Sequence, residues 1–389
     1  VLSEFLDAYG FIGASQVVSV GYGFLRTKML AIWLGPGGVG IFSQADLLLK
    51  SFRRLMSLGV STGIIKQVAE YQGSGEFQRI SRLLATVVLM YLLIGSVMIV
   101  AALAFSGTFS TWVFGDARYG KFINVTAFGA VMMLEYVVLL SAFRGLLRWR
   151  DFTLSATIGY AASLIVTGVL ILGFGLYGAV LSLLLSQAIH LLVAMYFFRR
   201  GAGRRFDIHL LAAGVDRSEL LSFWRLFRPL FAIYLVSALA PLWVRSEIIR
   251  QLGAEANGIY QTVWGISLVY MGFVSNITST YGMPRVAVAG QDASQVVRIQ
   301  NNSLRINLLL LAPLVVGLYV LRETWIPILY RSDFLPAARI LLWHFGGDIL
   351  RVVRESWNIS LIPLEHFFYL TVESSLLWGG WALVSTLLM

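Results

Sequence analysis

Long apolar stretches separated by short polar links dominate the chain. A helix needs roughly 20 apolar residues to cross a bilayer. About eleven such stretches stand out, at approximately 9–34, 39–65, 83–107, 122–147, 152–173, 176–198, 224–249, 257–281, 303–321, 336–360 and 364–388. One link alone is long and strongly charged. It runs from Arg199 to Arg228 and also holds Arg200, Arg204, Arg205, Arg217 and Arg225. It separates six spans from five. The pattern predicts an all-α membrane protein with an N-terminal lobe at 1–200, a basic linker at 201–223 and a C-terminal lobe at 224–389. No link is large enough for a soluble catalytic domain.

The two parts repeat each other. Gly35-Pro36-Gly37-Gly38-Val39-Gly40-Ile41-Phe42 resembles Gly253-Ala254-Glu255-Ala256-Asn257-Gly258-Ile259-Tyr260 at a constant offset of 218 positions. Arg26 and Arg245 correspond after a one-residue gap. Two six-span lobes in the same orientation imply a pseudo-two-fold axis along the membrane normal, with a site between the halves. A complete second lobe needs one more span after Met389, so a twelfth helix is expected beyond the eleven.

Composition narrows the class further. Hydrophobic residues make up 58% of the 389 positions and charged residues 13%, with mean hydropathy +0.78. Soluble domains carry about 25% charged residues. The composition therefore argues against a water-soluble enzyme, an extended nucleic-acid binder and a disordered protein. The net charge of +10 reads as basic cytoplasmic loops. With the N-terminus in the cytoplasm, those loops carry Lys66, Arg79, Arg82, Arg144, Arg148, Arg150, the arginine-rich linker, Arg285 and Arg298. The links at Gly35–Val39 and Gly173–Gly175 on the other side have no charge, while the longer ones there hold Arg118 and Lys121, then Arg322, Arg331 and Arg339. Zero cysteines exclude disulfides and thiolate metal sites. His190, His209, His344 and His366 are scattered singly. No metal and no cofactor is expected.

Charges inside spans are costly, about 2.5–3.5 kcal/mol each at a helix centre, so they point to a water-filled cavity or a partner. Asp46, Lys50, Arg53 and Arg54 fall at i, i+4, i+7 and i+8 on one face of span two. Span one adds Arg26 and Lys28. Arg26 lies roughly 13 Å before Gly35 at 1.5 Å per residue, and Asp46 is at a similar depth in the next span. The two are expected to meet. Arg245 and Glu247 sit at the matching depth in span seven, and Glu135 is in span four. His344, Asp348, Arg351 and Glu355 share a face of span ten, while Glu365 and Glu373 stand in span eleven without evident partners. One reading is a cationic cavity for a phosphate-bearing ligand, since arginine donates two hydrogen bonds at once to phosphate. Its binding set is Arg26, Lys28, Lys50, Arg53, Arg54 and Arg245. Asp46, Glu135, Glu247, Asp348 and Arg351 are then ion-coupling residues or structural ion pairs. The other reading makes the whole set packing ion pairs, with Lys28 and Arg54 snorkelling to an interface.

Gly35-Pro36-Gly37-Gly38-Val39-Gly40 matches GxGxxG literally, but a dinucleotide site needs a preceding strand. Between two membrane helices it is expected to be a tight turn. Trp33, Trp112 and Trp325 lie near span ends, as interface anchors do.

At these residues the chain resembles the Wzx-type polysaccharide flippases. Arg26-Thr27-Lys28-Met29-Leu30-Ala31 followed by Leu34-Gly35-Pro36-Gly37-Gly38-Val39-Gly40 is similar to their first hairpin. Phe143-Arg144-Gly145, Gly175-Leu176-Tyr177-Gly178-Ala179, and Trp343 through Gly347-Asp348-Ile349-Leu350-Arg351 resemble later segments. The resemblance runs in order along essentially the whole chain, and is closest to the O-antigen and enterobacterial-common-antigen translocases. It implies the multidrug/oligosaccharidyl-lipid/polysaccharide exporter superfamily, with twelve helices in two lobes around a V-shaped cavity. It also implies flipping of undecaprenyl-pyrophosphate-linked oligosaccharide between leaflets of the bacterial inner membrane. In the related lipid II flippases, cavity arginines serve transport; Arg26, Arg53 or Arg54, and Arg245 occupy comparable places. A polysaccharide polymerase and a chain-length regulator are the implied partners of an otherwise monomeric protein.

Two rival readings remain at this stage. A drug or metabolite antiporter on the same fold favours an acidic or aromatic cavity. A membrane-embedded polymerase or ligase needs a larger catalytic loop than 107–121 or 322–335 offers.

Overall fold

The computed structural model describes residues 2–57, 60–201, 231–278, 282–290, 292–361, 364 and 367–388. Among these the chain is helix and turn, without a strand. The helices are α1 (Leu2–Ser57), α2 (Val60–Gly73), α3 (Phe77–Ala104), α4 (Ser106–Phe114), α5 (Gly120–Gly145), α6 (Trp149–Arg200), α7 (Phe231–Ile277), α8 (Met283–Ala289), α9 (Ala293–Val320), α10 (Arg322–Leu329), α11 (Ala337–Trp357) and α12 (Phe367–Leu388). All of the expected linker but Gly201, together with His209, Glu365 and His366, lies outside the described residues.

Six segments are long and apolar enough to cross a membrane: Gly13–Ser57, Phe77–Ala104, Ala117–Gly145, Trp149–Arg200, Phe231–Ser275 and Ala293–Val320. Three of them far exceed one bilayer. A straight helix of the 52 residues in α6 would run roughly 78 Å. Each of the three breaks at a glycine in the left-handed region: Gly35 (φ 62°), Gly175 (φ 55°) and Gly253 (φ 90°). Only glycine adopts such a φ without steric cost. At the first two the chain doubles back. The Arg26 guanidinium carbon stands 4.7 Å from the Phe42 ring centre, and Ser163 Oγ lies 3.4 Å from His190 Nδ1. Along straight helices these pairs would be about 24 and 40 Å apart. Spans one and two, and spans five and six, are thus hairpins. Of the glycines in the GxGxxG-like run only Gly35 has a positive φ. Helix resumes at Pro36, whose fixed φ suits a first turn.

The chain forms two compact units, one of Val1–Trp33 with Phe42–Ser246, the other of Leu34–Ile41 with Glu247–Met389. In the first, α5 packs on α6, α3 and α2, and Phe143, Phe152, Tyr136 and Ala194 make a core under Leu139 and Phe198. Val97, Val100, Ile165, Val169 and Leu172 point outward from these helices, as an acyl-chain environment requires of apolar side chains.

In the second unit, α9 packs on α11, and the two repeat segments meet. A Cβ on Gly40 would lie 1.8 Å from the Ala254 carbonyl oxygen, and one on Gly258 would lie 1.9 Å from the Pro36 carbonyl oxygen. Asn257 Nδ2 donates to the Gly40 carbonyl at 2.7 Å. Position 36 corresponds to 254, and 40 to 258, under the sequence offset. The same contact is therefore made twice, as a two-fold relation demands. Small residues allow the backbones this close approach.

Outside the spans, Asp292 caps α9. Its Oδ1 accepts from the Ser294 and Gln295 backbone amides at 3.0 and 3.2 Å, and from the Ser294 hydroxyl at 2.7 Å. The Ser294 hydroxyl first, then the Gln295 groups, hold this carboxyl below the usual aspartate range. A folded pKa below the unfolded one gives stability at neutral pH that disappears as pH falls through the folded value. Hydrogen-exchange protection of the Ser294 and Gln295 amides is expected to fall below about pH 4. In Asp292→Ala it is expected to be low at pH 7 as well. Equal protection in both proteins at pH 7 contradicts the cap.

Candidate substrate site

The hairpin at Gly35 brings the charges of α1 together. Arg26 Nη1 stands 3.8 Å from Asp46 Oδ1, and Lys50 Nζ stands 2.6 Å from Asp46 Oδ2. Arg245, on α7 and only 3% exposed, adds its charge to the field at Asp46. Two cations thus pair with one carboxylate and a third adds to its field, leaving an excess of positive charge that an anion can match. The Arg26 guanidinium is held between rings, 4.7 Å from Phe42 and 5.8 Å from Tyr22. Its Nε and Nη2 have no hydrogen-bond partner among the described residues.

A polar seam fixes α7 against α1. Gln44 is fully buried and donates from Nε2 to Ser246 Oγ at 2.9 Å and to the Val113 carbonyl at 3.1 Å. Ser51 Oγ donates to the Ala238 carbonyl at 2.9 Å, and Arg54 Nη1 to the Ser237 carbonyl at 2.8 Å. Trp112 lies 5.8 Å from Trp243 nearby. This seam sets the depth of Arg245 relative to Asp46. The expected charged face of span two therefore divides by role. Asp46 and Lys50 join Arg26, Arg54 spends its donor on a backbone carbonyl, and Arg53 is partly buried with its Nε lacking a partner among the described residues. Lys28 is partly exposed on α1.

Sequence reasoning missed Gln44, Ser51 and Ser246. The signal was present, since Gln44 and Ser51 are seven residues apart on one helix face. It also read His190 only as isolated. His190 Nδ1 donates to the Ser186 carbonyl at 2.6 Å, and its ring lies 5.1 Å from Tyr160 and 5.2 Å from Tyr136. Tyr160 in turn stacks on Tyr22 at 4.9 Å. Glu135, on α5, is 9% exposed, and its Oε1 has no hydrogen-bond partner among the described residues.

In the second unit, Asp348 is 5% exposed. Its Oδ2 accepts from Ser267 Oγ at 2.6 Å and from the Tyr270 hydroxyl, with His344 Nε2 at 3.6 Å. Arg351 pairs with Glu355 at 3.2 Å rather than with Asp348, whose carboxylate is taken by Ser267 and Tyr270. Glu247 pairs with Arg250 and accepts from Gln251 Nε2 at 3.3 Å. Glu373, expected without a partner, meets Arg354 Nε at 2.5 Å. Asp348→Ala leaves two buried hydroxyl donors unmet and is expected to cost about 1–3 kcal/mol. Asp348→Asn, which keeps a carbonyl acceptor, is expected to cost less. Thermal unfolding in detergent orders the two; equal loss contradicts the acceptor role.

The fold matches that of known transporters. An inward-facing multidrug-resistance MATE transporter of the MOP superfamily superposes with a TM-score of 0.71 at 15% identity, over 90% of this chain and 84% of that one. The lipid II flippase MurJ, in an inward closed conformation, superposes at 0.73 and 14% identity, over 95% of this chain and 78% of that one. This is the fold of the MOP-superfamily membrane transporters. At the level of sequence, a family model described as polysaccharide biosynthesis protein matches residues 29–339, and the chain belongs to that family. The lipid III flippases of Escherichia coli (strain K12) and Shigella flexneri are each 25% identical over 374 residues, covering 93% of this chain and 86% of theirs. The protein is a multi-pass membrane transporter of polysaccharide biosynthesis, not an enzyme.

Proposed function

We propose that the protein flips undecaprenyl-pyrophosphate-linked oligosaccharide from the cytoplasmic to the periplasmic leaflet of the bacterial inner membrane. One observation carries the reading: Arg26 and Lys50 share the single carboxylate of Asp46, with the charge of Arg245 in the same field. A diphosphate head group supplies the negative charge such a cluster lacks. The physical task is to move that head group across about 30 Å of hydrocarbon, and a wet cationic site lowers the cost of doing so. The glycan stays in water and the polyprenyl tail in lipid while the transporter alternates its access. Arg53, Lys28 and Arg54 flank the cluster on the same helical hairpin. The 1–200 and 224–389 segments act as the two transport lobes. The N-terminus lies in the cytoplasm, as the distribution of arginine and lysine among the links favours. Glu135, Glu247 and Asp348 are the candidates for coupling to protons or sodium. A polymerase and a chain-length regulator receive the product. An antiporter of organic cations calls instead for an anionic site.

The test is genetic. A bacterium lacking its own flippase for a lipid-linked oligosaccharide receives the wild-type gene, or an Arg26→Gln/Lys50→Gln/Arg53→Gln variant, at matched expression. Surface glycan is expected with the first and absent with the second. Rescue by both removes the cationic cluster from transport. Organic-cation efflux without glycan rescue replaces the flippase reading with the antiporter.

A further inference from the structure

A second basic site lies in the first unit, away from Asp46. The link between α5 and α6, the end of α6 and the start of span one enclose a cavity of about 890 Å³. Arg148, Arg150 and Arg200 line it, with Asp151 as its acidic residue and Trp149, Phe11 and Phe197 among its apolar ones. Asp151 is already engaged by Arg148. Arg148 in turn lies against Gly201, where a Cβ would come within 2.1 Å of its Nη2. Arg150 and Arg199 have no ion-pair partner among the described residues, and both are exposed. Among the described residues Arg200 has only the Tyr196 hydroxyl, at 3.2 Å.

Arg200 also lines an adjoining groove of about 440 Å³ with Arg199, Leu192, Met195 and Tyr196. Leu192 and Tyr196 are 60% and 57% exposed on the outer face of α6. At the rim stands Leu147, with a φ of 53° and its side chain 65% exposed. That left-handed φ closes the end of α5, where the Arg148 amide donates to the Phe143 carbonyl at 2.8 Å. Basic residues with a tryptophan at a helix end mark the membrane interface.

We propose that this paired cavity and groove bind an anionic phospholipid. The phosphodiester lies on Arg150, Arg199 and Arg200, which offer planar forks to its oxygens, and an acyl chain follows Leu192, Met195 and Tyr196. With the N-terminus inside, the lipid belongs to the cytoplasmic leaflet. Inorganic phosphate shares the head-group chemistry, but it leaves the apolar groove unfilled. Basic pockets between spans on this side of a membrane suit anionic head groups.

The full chain in detergent is titrated with short-chain phosphatidylglycerol, and bound lipid is counted by native mass spectrometry. Each charge is worth about fivefold near an anionic surface, so Arg150→Gln/Arg199→Gln/Arg200→Gln is expected to bind about a hundredfold more weakly. Leu192→Asn/Met195→Asn is expected to weaken the lipid but not glycerol phosphate. A control, Lys66→Gln/Arg79→Gln, removes two exposed charges elsewhere on the same side and is expected to bind as wild type. Unchanged binding in the arginine variant overturns the proposal. So does an equal loss in the control, which reports bulk charge, or equal protection by inorganic phosphate alone, which reports a simple anion site. None of these readouts requires flipping, so the proposal fails or stands independently of the proposed transport.

Discussion

Gly40→Leu is expected to abolish both the folded protein and surface glycan. Its first added carbon falls 1.8 Å from the Ala254 carbonyl oxygen, a backbone atom that no rotamer change can move. Overpacking a core ordinarily costs about 1–3 kcal/mol. Here relief requires separating two helical backbones and breaking the Asn257 hydrogen bond to the Gly40 carbonyl, which adds about 1 kcal/mol. Gly258→Leu meets the Pro36 carbonyl at 1.9 Å and is expected to behave alike, since it is the same contact seen from the other repeat. Gly37→Ala is the control: its Cβ meets nothing within 4 Å, so it is expected to express and melt as wild type. Fluorescence-detected size exclusion and thermal unfolding decide the matter. A well-folded Gly40→Leu protein contradicts the close crossing.

Asp46→Ala has the second-largest expected effect. It removes the carboxylate shared by Arg26 and Lys50 and leaves those cations, in the field of Arg245, without it. Breaking a buried ion pair by deleting one partner costs about 3–5 kcal/mol. Lys50 is 54% exposed in its side chain, so solvent screens its share and the loss belongs near the lower end. Arg26→Gln is milder, because Asp46 keeps Lys50 and Arg245. The melting temperature is therefore expected to fall more for Asp46→Ala than for Arg26→Gln. Added pyrophosphate is expected to recover part of the Asp46→Ala loss, since an anion then takes the empty place. The reverse order of stability contradicts a cluster organised around Asp46.

Much of this was legible in the chain. Spans one to nine fall on the six segments that are long and apolar enough to cross a membrane, whereas α11 and α12, read as spans ten and eleven, are not among those segments in the described residues. The Arg26–Asp46 encounter follows from counting residues either side of Gly35, since a hairpin equalises depth. The Gly40 and Gly258 offset predicted a repeat, though not that the repeats touch. Glycine pairs mark close approach only when the partner is known. The spacing of Gln44 and Ser51 marked one polar face, but its partners, the carbonyls of Leu242 and Ala238, carry no side-chain signal in the sequence. Partner choice was least legible of all. Arg351 has carboxylates at i−3 and i+4, and it meets Glu355 because Ser267 and Tyr270 take Asp348. Glu373 meets Arg354 across 19 positions, a pairing that periodicity cannot reveal.

Binding of the lipid head group is the most direct test of the cationic cluster. The purified full chain is placed in nanodiscs and titrated with undecaprenyl pyrophosphate and with uncharged undecaprenol. Wild type is expected to prefer the diphosphate. Arg26→Gln, Lys50→Gln and Arg245→Gln are each expected to weaken diphosphate binding by about tenfold or more, the worth of a charge-assisted hydrogen bond, while binding of undecaprenol stays unchanged. Equal affinity for the diphosphate in wild type and all three variants contradicts the account and leaves the cluster as packing.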